Sequence, residues 1–491
     1  MSQTAFTYTI DKNNIVTLTF DLKGEKVNKL SRAVGQEFQA VLKEISSKPN
    51  IKGIVLVSGK PGIFIAGADI EEFTKIKSKE EAFQLSSNAQ KLVDQIEDLP
   101  FPTVAAIDGV CLGGGLEVAL GCTARVATDD PKTIIGAPEV MLGIIPGMGG
   151  CYRTPKLIGL EKAFGLILAG NPVDGKKAKR LGLVDKVVAK AELINAAKSL
   201  IKKPRRRSPS MSVKSLLLER NPLGRFIMGG LARKGVISKT YGHYPAPLKA
   251  IDVILQAYGK SRKDALEIEA RGFAEMAITD VSKQLVRLFF LQEEAKKERG
   301  EEKSLAGTEI NSVAVLGAGV MGGGIAYLVT TRGIPVIVKD INEEALKTAV
   351  AHARELYDKQ VSRWKMTKDD MAKKMMLIKT TMSFEGFNDI DLVIEAVPEK
   401  LELKEVVYRD LCKHVREDTI IASNTSTFAL AMLKPSISNP KRFIGMHFFN
   451  PVHKLPLLEI VRTKDSDPGV VASAMKFGQK LGKVTLLCND G

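Results

Sequence analysis

A glycine-rich turn between two strand-like segments constrains the fold of the C-terminal half of the chain most strongly. The apolar segment 311–316 predicts a buried strand and runs into the GxGxxG pattern formed by Gly317, Gly319 and Gly322. A helix is predicted after the glycines, and the next strand ends at Asp340. In such a unit the glycines let the backbone approach a pyrophosphate at the helix N-terminus, and the acid binds the ribose hydroxyls. The pattern predicts an α/β dinucleotide-binding domain.

Asp340 also indicates which dinucleotide is bound. A carboxylate at this position repels a 2′-phosphate and favours NAD over NADP, although the neighbouring Lys339 weakens that preference. Further strand-like segments, 391–397, 419–426 and 442–451, each end in polar or turn residues. Because ligands of an open parallel sheet bind outside the carboxyl ends of the strands, we expect these polar residues near the cofactor.

One histidine at such a strand end is a candidate base. His447 lies in the last of these segments, and Glu459 follows beyond a turn at Pro451. A histidine oriented by a carboxylate is the usual base for taking the proton of an alcohol while hydride leaves. A single histidine is more often a hydrogen-bonded core residue. The chain has only five histidines, however, and the position of this one at the end of a strand favours a catalytic role.

Two glutamates in glycine-rich segments indicate a second chemistry in the N-terminal half. Glu117 follows three consecutive glycines (LGGGLE), and Glu139 lies in GAPEV, where the other residues are apolar. Burial of an uncompensated carboxylate is costly, so an acid kept in such a place usually has a function. Two acids that face one cavity can move protons in both directions, as addition of water to an activated double bond requires. The alternative is that the glycines allow close helix packing and the acids cap helices.

The glycine-rich segments also supply candidate N–H donors. Consecutive glycines leave backbone N–H groups accessible to a ligand oxygen. Upstream, the segment 64–70 (FIAGADI) provides a second turn of small residues after a β-rich run. One N–H group from each turn would form an oxyanion hole for a thioester carbonyl that becomes an enolate. Each donor in such a site is typically worth about 3 to 4 kcal/mol of the barrier.

The N-terminal half resembles the crotonase (enoyl-CoA hydratase/isomerase) superfamily. The AGADI, GGGLE, APEV and LGIIPGMGG segments occur in that family's order within residues 7–188. The resemblance implies a ββα-spiral domain in which the N–H groups of Ala68 and Gly114 form the oxyanion hole. It implies that Glu117 activates water and that Glu139 delivers the proton to Cα. The presence of both acids favours hydration, with double-bond isomerisation through Glu139 as a minor activity.

The C-terminal half resembles the NAD-binding domain of L-3-hydroxyacyl-CoA dehydrogenase. The matching segments are GAGVMGGGIA, VIEAVPEKLELK, SNTS and HFFNPV. The resemblance implies a Rossmann-type domain with His447 as the catalytic base and Glu459 as its partner, and it implies that Ser426 and Asn450 bind substrate or cofactor. The cofactor-binding residues that the motif and the resemblance give together are Gly317, Gly319, Met321, Gly322, Asp340, Glu395, Val397, Glu399, Lys404, Ser426 and Asn450.

The two halves in one chain resemble the α-subunits of the multifunctional fatty-acid β-oxidation complex. Hydration of a trans-2-enoyl-CoA gives a 3-hydroxyacyl-CoA, which the dehydrogenase half would oxidise to a 3-ketoacyl-CoA. The resemblance implies acyl-CoA substrates and a 3-ketoacyl-CoA thiolase β-subunit as partner. The segments DDPKT, GLEVAL and YPAP are similar to the bacterial anaerobic-type paralogue. That family continues into a helical portion that closes the dehydrogenase cleft, so we expect a C-terminally truncated chain that binds NADH but oxidises poorly.

The motifs divide the chain into three parts. We predict a crotonase domain at 1–189, a helical linker at 190–308 and an NAD-binding domain at 309–491. In the linker the spacing of Ile, Leu, Val and Phe predicts helices, no chemistry is evident, and the resemblance implies packing on the hydratase domain. The basic run 202–207 indicates either a nucleic-acid patch or a solvated linker, and the solvated linker is favoured.

Composition fits this division. A length of 491 residues predicts two or three domains, and a hydrophobic content of 44% is enough for their cores. The formal charge of +16 favours polyanionic partners, and coenzyme A and NAD meet that expectation, as nucleic acid or an anionic membrane would. Five scattered cysteines without a CxxC argue for a reducing compartment and against a zinc site. No membrane-spanning segment, signal peptide or transit peptide is evident, which makes the cytoplasm the expected location.

Functions of two other classes are compatible with parts of the sequence. An RNA-binding protein on a crotonase scaffold would bind RNA with a steep salt dependence and would be indifferent to Glu117. A regulatory NAD sensor with an inactive hydratase half would keep the glycines and lose the acids, whereas both Glu117 and Glu139 are present.

Overall fold

The chain folds into two compact units. A computed structural model describes residues 4–202, 218–297, 307–362 and 366–491. Its units are Met1–Phe289 and Phe290–Gly491. Most of the predicted linker therefore belongs to the first unit, and the boundary predicted at residue 189 falls inside that unit. Apart from Lys202, the basic run predicted either as a nucleic-acid patch or as a solvated linker lies outside the described residues.

The first unit is built on two sheets. Its strands are β1 Phe6–Ile10, β2 Ile15–Phe20, β3 Gly53–Ser58, β4 Ile63–Ile65, β5 Thr103–Ile107, β6 Val110–Leu112, β7 Ala124–Thr128, β8 Ile134–Gly136, β9 Val173–Asp174 and β10 Lys186–Val188. The larger sheet has the order β1-β2-β3-β5-β7-β10 and the smaller one β4-β6-β8-β9. Among the described strands of this unit, only the β1–β2 and β8–β9 pairs are antiparallel. The central strands β3, β5 and β7 are mostly apolar, and β5 and β7 are buried at every residue, as expected for strands covered on both faces.

Helices follow the strand pairs in a regular way. They are Arg32–Ser46, Ile70–Thr74, Lys79–Glu97, Gly114–Gly121, Gly150–Ile158, Leu160–Ile167, Gly175–Leu181 and Leu193–Lys202. In the pairs β3–β4, β5–β6 and β7–β8, the first strand joins the larger sheet, the second joins the smaller sheet, and a helix comes next. This arrangement confirms the predicted ββα spiral.

The linker helices complete the core of the first unit. They are Pro222–Thr240, Pro245–Ala257, Arg262–Ala277 and Asp280–Lys297, so the prediction of helices here is confirmed. Ile251 and Ile254 of the second helix, and Phe273 and Ala274 of the third, lie in the same buried cluster as the strands and helices of the spiral. Removing these side chains from water is a main source of the free energy that holds the linker helices on the spiral.

The second unit is a single open sheet. Its strands are β11 Val313–Leu316, β12 Val336–Lys339, β13 Ile378–Thr381, β14 Leu392–Glu395, β15 Ile420–Ser423, β16 Phe443–Phe448, β17 Leu457–Arg462 and β18 Val484–Asn489. The order is β13-β12-β11-β14-β15-β16-β17-β18, and within the described part of this unit only the β16–β17 pair is antiparallel. The first six strands in this order have the arrangement of a dinucleotide-binding fold, with its switch point between β11 and β14.

Helices pack on this sheet, and its register aligns the strand ends. The helices are Val320–Thr331, Glu343–Ser362, Lys368–Met375, Leu401–Leu411, Leu430–Leu433 and Pro468–Lys480. The residues that pair across the sheet in one row are Thr381, Lys339, Leu316, Glu395 and Ser423, each the last residue of its strand. The carboxyl ends of five parallel strands therefore meet at one edge, which is where the predicted cofactor residues lie. No helix among the described residues combines the length and the apolar character needed to cross a bilayer.

Candidate active sites

The first unit contains a cavity of about 580 Å³. Glu117 and Glu139 both line it, as do the predicted oxyanion-hole residues Ala68 and Gly114. Phe273, from a linker helix, forms part of the wall, and the remaining wall is largely apolar. Elements from the whole length of the unit thus bring the four predicted residues to one cavity.

Glu117 lies in the first turn of the helix Gly114–Gly121 and is buried. Its Oε1 accepts hydrogen bonds from the backbone N–H groups of Met148 and Gly150, each at 2.7 Å. Burial raises the pKa of Glu117 to about 7, while these two N–H groups and the charge of Arg153 oppose the rise. Glu117 is therefore balanced between its two protonation states near neutral pH, as a general base requires.

Glu139 begins the short 3-10 helix Glu139–Leu142 and has the opposite environment. Both of its carboxylate oxygens are buried, and neither has a hydrogen-bond partner among the described residues. Burial, and then the neighbouring charge of Glu117, hold the pKa of Glu139 well above its usual range. A carboxyl group without donors to stabilise its charge keeps its proton, so Glu139 is suited to act as an acid.

Ala68 and Gly114 lie close together in the cavity that the two acids also line. Ala68 forms a parallel bridge with Leu30 that uses the Gly67 carbonyl and the Asp69 N–H, so the Ala68 N–H points to the other side. A Cβ atom placed on Gly114 would lie 3.5 Å from Ala68 N. A side chain at Gly114 would crowd the Ala68 N–H, so glycine at this position is compatible with the predicted oxyanion hole.

A third buried carboxylate, which the sequence interpretation missed, lies beside the same site. Glu269 belongs to the linker helix Arg262–Ala277 and is fully buried. It accepts hydrogen bonds from the N–H groups of residues 149, 151 and 152, the last two at 2.8 and 3.2 Å. The expectation that the linker carries no chemistry did not foresee this group. The signal was present: Glu269 interrupts an apolar helix face that includes Leu266 and Phe273.

In the second unit the glycine turn forms a cradle at a helix N-terminus. Gly319 caps the helix Val320–Thr331 without any side-chain hydrogen bond, and no acid lies in the first turn of this helix. A Cβ atom placed on Gly319 would meet nothing within 4 Å, whereas one on Gly322 would lie 1.9 Å from the Gly317 carbonyl oxygen. The turn therefore needs its glycines for tight closure, and free N–H groups remain for an anion. These residues fit the pyrophosphate of NAD.

Asp340 lies directly beside this turn. Its Oδ2 accepts a hydrogen bond from Ala318 N at 2.7 Å, which fixes the carboxylate next to the glycines. A carboxylate offers about four acceptor positions, so positions remain for ribose hydroxyls. The ammonium group of Lys339 lies 4.4 Å from the centre of the Phe384 ring. Phe384 thus engages the ammonium group of Lys339, the neighbouring cation that weakens the predicted preference for NAD.

His447 and Glu459 form a hydrogen-bonded pair. They are direct partners in the antiparallel pairing of β16 with β17, and His447 Nδ1 lies 2.8 Å from Glu459 Oε2. The strands therefore fix the distance that the sequence left open. With Nδ1 engaged by the carboxylate, Nε2 is the ring nitrogen that remains to accept a proton.

Glu395 and Lys404 form a buried ion pair at the carboxyl end of β14. Neither side chain is appreciably exposed, at 0% for Glu395 and 1% for Lys404. Lys404 Nζ lies 2.7 Å from Glu395 Oε1, and Tyr408 Oη and Ser423 Oγ donate to Glu395 Oε2 at 2.6 and 2.8 Å. Val397 N donates to the same carboxylate at 2.9 Å. In this conformation Glu395 is engaged by protein donors, and the backbone at Val397 is held in position.

The remaining predicted residues lie on the exposed side of the same edge. Ser426 and Asn450 are exposed, and Met321 is half-buried after the glycine turn. Glu399 accepts a hydrogen bond from Ser426 N at 2.9 Å and pairs with Lys404 at 3.2 Å. Glu399 therefore connects the exposed loop that carries Ser426 to the buried pair.

The fold and these two sites define a two-domain enzyme, and family comparisons agree. Residues 11–216 match the family model "Enoyl-CoA hydratase/isomerase". Residues 312–491 match the model "3-hydroxyacyl-CoA dehydrogenase, NAD binding domain". The predictions of a crotonase domain, of a dehydrogenase domain and of NAD as cofactor are confirmed.

Relatives with the same domain pair identify the family more closely. The chain is 41% identical over 481 residues to the fatty acid oxidation complex subunit alpha of Shewanella amazonensis, covering 97% of this chain and 68% of the relative. The protein of the same name from Shewanella frigidimarina is 41% identical over 482 residues, covering 98% and 68%. The solved (S)-3-hydroxybutyryl-CoA dehydrogenase from Ralstonia eutropha is 34% identical, with a TM-score of 0.37, over 37% of this chain and 65% of that one. The chain belongs to the family of fatty acid oxidation complex alpha subunits.

Proposed function

We propose that the first site hydrates trans-2-enoyl-CoA, with Glu117 as general base and Glu139 as general acid. The observation that supports this most directly is the contrast between two buried carboxylates in one cavity. Glu117 accepts hydrogen bonds from two backbone N–H groups, which stabilise its negative charge. Glu139 has no hydrogen-bond donor among the described residues. Because their environments give the two carboxyl groups different pKa values, Glu117 is assigned as the base and Glu139 as the acid.

The proposed hydration is balanced in protons and electrons. A water molecule gives a proton to Glu117 and its oxygen forms a bond to Cβ. The electrons of the double bond move to the thioester oxygen, which accepts hydrogen bonds from the N–H groups of Ala68 and Gly114. The carbonyl then reforms as Cα takes the proton of Glu139. Each donor of the oxyanion hole contributes about 3 to 4 kcal/mol to lowering the barrier.

Glu139 also supports a minor double-bond isomerase activity. In its ionised form Glu139 can take a proton from C2 and, once protonated, return it to C4, which needs no activated water. Glu139 lies beside Gly113, where a Cβ atom would come within 3.2 Å of its Oε1, so the acid faces the glycine turn. Conversion of 3-enoyl-CoA to 2-enoyl-CoA that survives Glu117→Gln would identify this activity.

At the second site we propose that His447 takes the hydroxyl proton of 3-hydroxyacyl-CoA, through Nε2. NAD, when bound, supplies the acceptor for the hydride from C3. Glu459 holds the imidazole ring and stabilises its protonated form. Asp340 and the glycine turn hold the two ends of the adenosine diphosphate part, and the exposed Ser426 and Asn450 bind substrate or the nicotinamide end. Glu395 and Lys404 position the Val397 backbone from behind.

The relatives are named as subunits of a complex, which extends the proposal to partners and location. We propose that the chain assembles with a 3-ketoacyl-CoA thiolase β-subunit, because the product of the second site is the substrate of a thiolase. We place this assembly in the cytoplasm. Co-purification of a thiolase with the tagged chain from its native host would support this part of the proposal, and its absence under gentle conditions would contradict it.

The decisive test of the first site is hydration of crotonyl-CoA, followed as loss of the enoyl absorbance. The unmutated chain is expected to hydrate, and Glu117→Gln and Glu139→Gln are each expected to lose at least about a hundredfold. Glu267→Gln, at an exposed position of a linker helix, is the matched control. Near-wild-type turnover by either active-site variant would contradict the assignment.

A further inference from the structure

Glu117 and Glu269 accept hydrogen bonds from the same row of consecutive backbone N–H groups, residues 148–152. Glu117 comes from the spiral and Glu269 from the linker helix. The N–H groups of five successive residues donate to one or the other: Met148 and Gly150 to Glu117, and Gly149, Cys151 and Tyr152 to Glu269. The row therefore alternates between the two carboxylates at its first four positions.

This shared row couples the positions of the two acids. Gly149, in the middle of the row, has a φ of 106°, in the left-handed region that glycine adopts without strain. A movement of the turn that releases a donor from Glu269 also displaces the neighbouring donors of Glu117. The position of Glu269 thus affects the hydrogen bonds of Glu117 through the backbone of this turn.

Capping of the helix Gly150–Ile158 does not by itself explain the burial and the hydrogen bonds of Glu269. A cap needs one or two acceptor contacts from a neighbouring Ser, Thr, Asn or Asp. Glu269 instead comes from a distant helix and is fully buried, at a desolvation cost. It spans three backbone donors, two of which alternate with the donors of the base.

We propose that Glu269 is a positioning residue of the hydratase: it holds the turn 148–152 so that the N–H groups of Met148 and Gly150 stay on Glu117. The linker helix is thereby a working part of the first active site. The inference rests on the proposed role of Glu117 as base.

Electrostatics give Glu269 a second, measurable effect. Burial, and then the charge of Glu117, raise the pKa of Glu269 to about 8. Once ionised, Glu269 adds to the negative charge that holds the pKa of Glu139 above its usual range. It therefore helps Glu139 to keep its proton in alkaline solution.

The other charged and titratable groups around this site are Arg153 and Cys151 on the helix Gly150–Ile158, Asp94 and Glu97 on the helix Lys79–Glu97, and Arg262 on the helix of Glu269 itself. Arg153 binds Asp94 and Glu97 and also donates to the Met148 carbonyl at 3.2 Å. Arg153 therefore supports the same turn from the opposite side.

The test compares Glu269→Gln with Glu267→Gln, an exposed glutamate on the same helix that pairs with Arg271. In the amide variant an NH₂ group faces backbone N–H donors, so the turn loosens. We expect kcat for crotonyl-CoA hydration to fall about tenfold to a hundredfold with KM nearly unchanged. We also expect the alkaline decline of kcat/KM to move to lower pH, because Glu139 loses a neighbouring negative charge. Glu267→Gln should change neither quantity.

The variant Glu269→Asp distinguishes the effect of the carboxylate's position from the effect of its charge. It keeps the charge on a side chain one methylene shorter, so it should lower kcat while leaving the alkaline decline in place. If the amide variant fails to fold, as measured by circular dichroism, the aspartate variant carries the test. Wild-type kcat in a folded variant would overturn the proposal. A loss carried by KM, or a fall in kcat in the amide variant with an unmoved decline, would also overturn it, because both indicate a merely structural role.

Glu117→Gln measured in the same assay keeps the two proposals apart. If Glu117→Gln retains turnover, the assignment of the base is wrong. If Glu117→Gln is inactive and Glu269→Gln is normal, only the positioning role fails.

Discussion

His447 and Glu459 occupy directly opposed positions on two antiparallel strands, and their side chains meet at 2.8 Å. Strand pairing fixes their Cβ atoms within about 5.5 Å of each other, so the hydrogen bond needs no ordering of a loop. Because the two strands hold both side chains in place, a substitution that removes the charge of Glu459 tests that charge with little change in geometry.

Glu459→Gln should therefore slow NAD-dependent oxidation of 3-hydroxybutyryl-CoA by about a hundredfold or more, because the imidazolium loses its partner. NADH affinity, measured by fluorescence titration, should not change. Glu385→Gln, at an exposed position of the same unit, serves as the control. Unchanged oxidation relative to the unmutated chain would remove Glu459 from the mechanism.

Gly114→Ala should block the oxyanion hole. The added Cβ would lie 2.9 Å from Met148 Sδ and 3.5 Å from Ala68 N, where a carbonyl oxygen must enter. We expect hydration to fall by about a hundredfold or more, as for loss of one donor. Gly165→Ala is the matched control, because a Cβ there meets nothing within 4 Å. A folded Gly114→Ala protein with normal kcat would contradict the predicted hole.

The rate of hydration should depend on pH in the form of a bell. The pKa of Glu117 is raised to about 7 by burial, so kcat/KM should rise as pH increases through that value and the base ionises. At higher pH the rate should fall as Glu139 loses its proton. A profile measured with crotonyl-CoA that is flat from pH 6 to pH 8 would contradict this assignment.

Stability of the first unit should decrease as pH rises. Glu117, Glu139 and Glu269 all have pKa values raised above the ordinary 4.5, so the folded state binds more protons than the unfolded state above that value. By linkage, the free energy of unfolding then falls from about pH 5 to beyond pH 8. Urea midpoints at several pH values should show this slope, and Glu139→Gln should flatten it. An equal slope in the variant would contradict the raised pKa.

Asp340→Ala should weaken NADH binding and narrow the preference for NADH over NADPH. The carboxylate of Asp340 lies beside the glycine turn, where we propose that it binds ribose hydroxyls and repels a 2′-phosphate. Fluorescence titrations with both cofactors give the two affinities, with Asp358→Ala, on an exposed helix position, as the control. Equal affinity for both cofactors in the unmutated chain would refute the role of Asp340.

Local motifs allowed much of the two sites to be predicted. The GxGxxG turn and the GGGLE turn are contiguous in sequence, so backbone geometry alone indicates what they hold. The pairing of His447 with Glu459 is predicted from the strand end and the turn between them, the resemblance implies it as well, and the strand register supplies their distance. The crotonase and dinucleotide-binding folds followed from the order of such segments.

Glu269 was missed for a physical reason. Its hydrogen bonds reach partners 117 to 120 positions earlier in the chain, so no local pattern contains them. A helix with one acid on its apolar face is compatible with many packings, and only the folded structure shows which donors that acid meets. The burial of Lys404 against Glu395 depended in the same way on the packing of a helix on the sheet edge.

The division of the turn 148–152 between two glutamates has a consequence for biosynthesis. When the ribosome has completed the ββα spiral, the N–H groups of Gly149, Cys151 and Tyr152 still lack their acceptor, since Glu269 is not yet made. The hydratase site becomes complete only after the helix Arg262–Ala277 has left the exit tunnel and docked. From the positioning role proposed for Glu269, we expect hydration by a growing chain to begin only after this helix has docked, when synthesis has reached the segment that leads to the second enzyme.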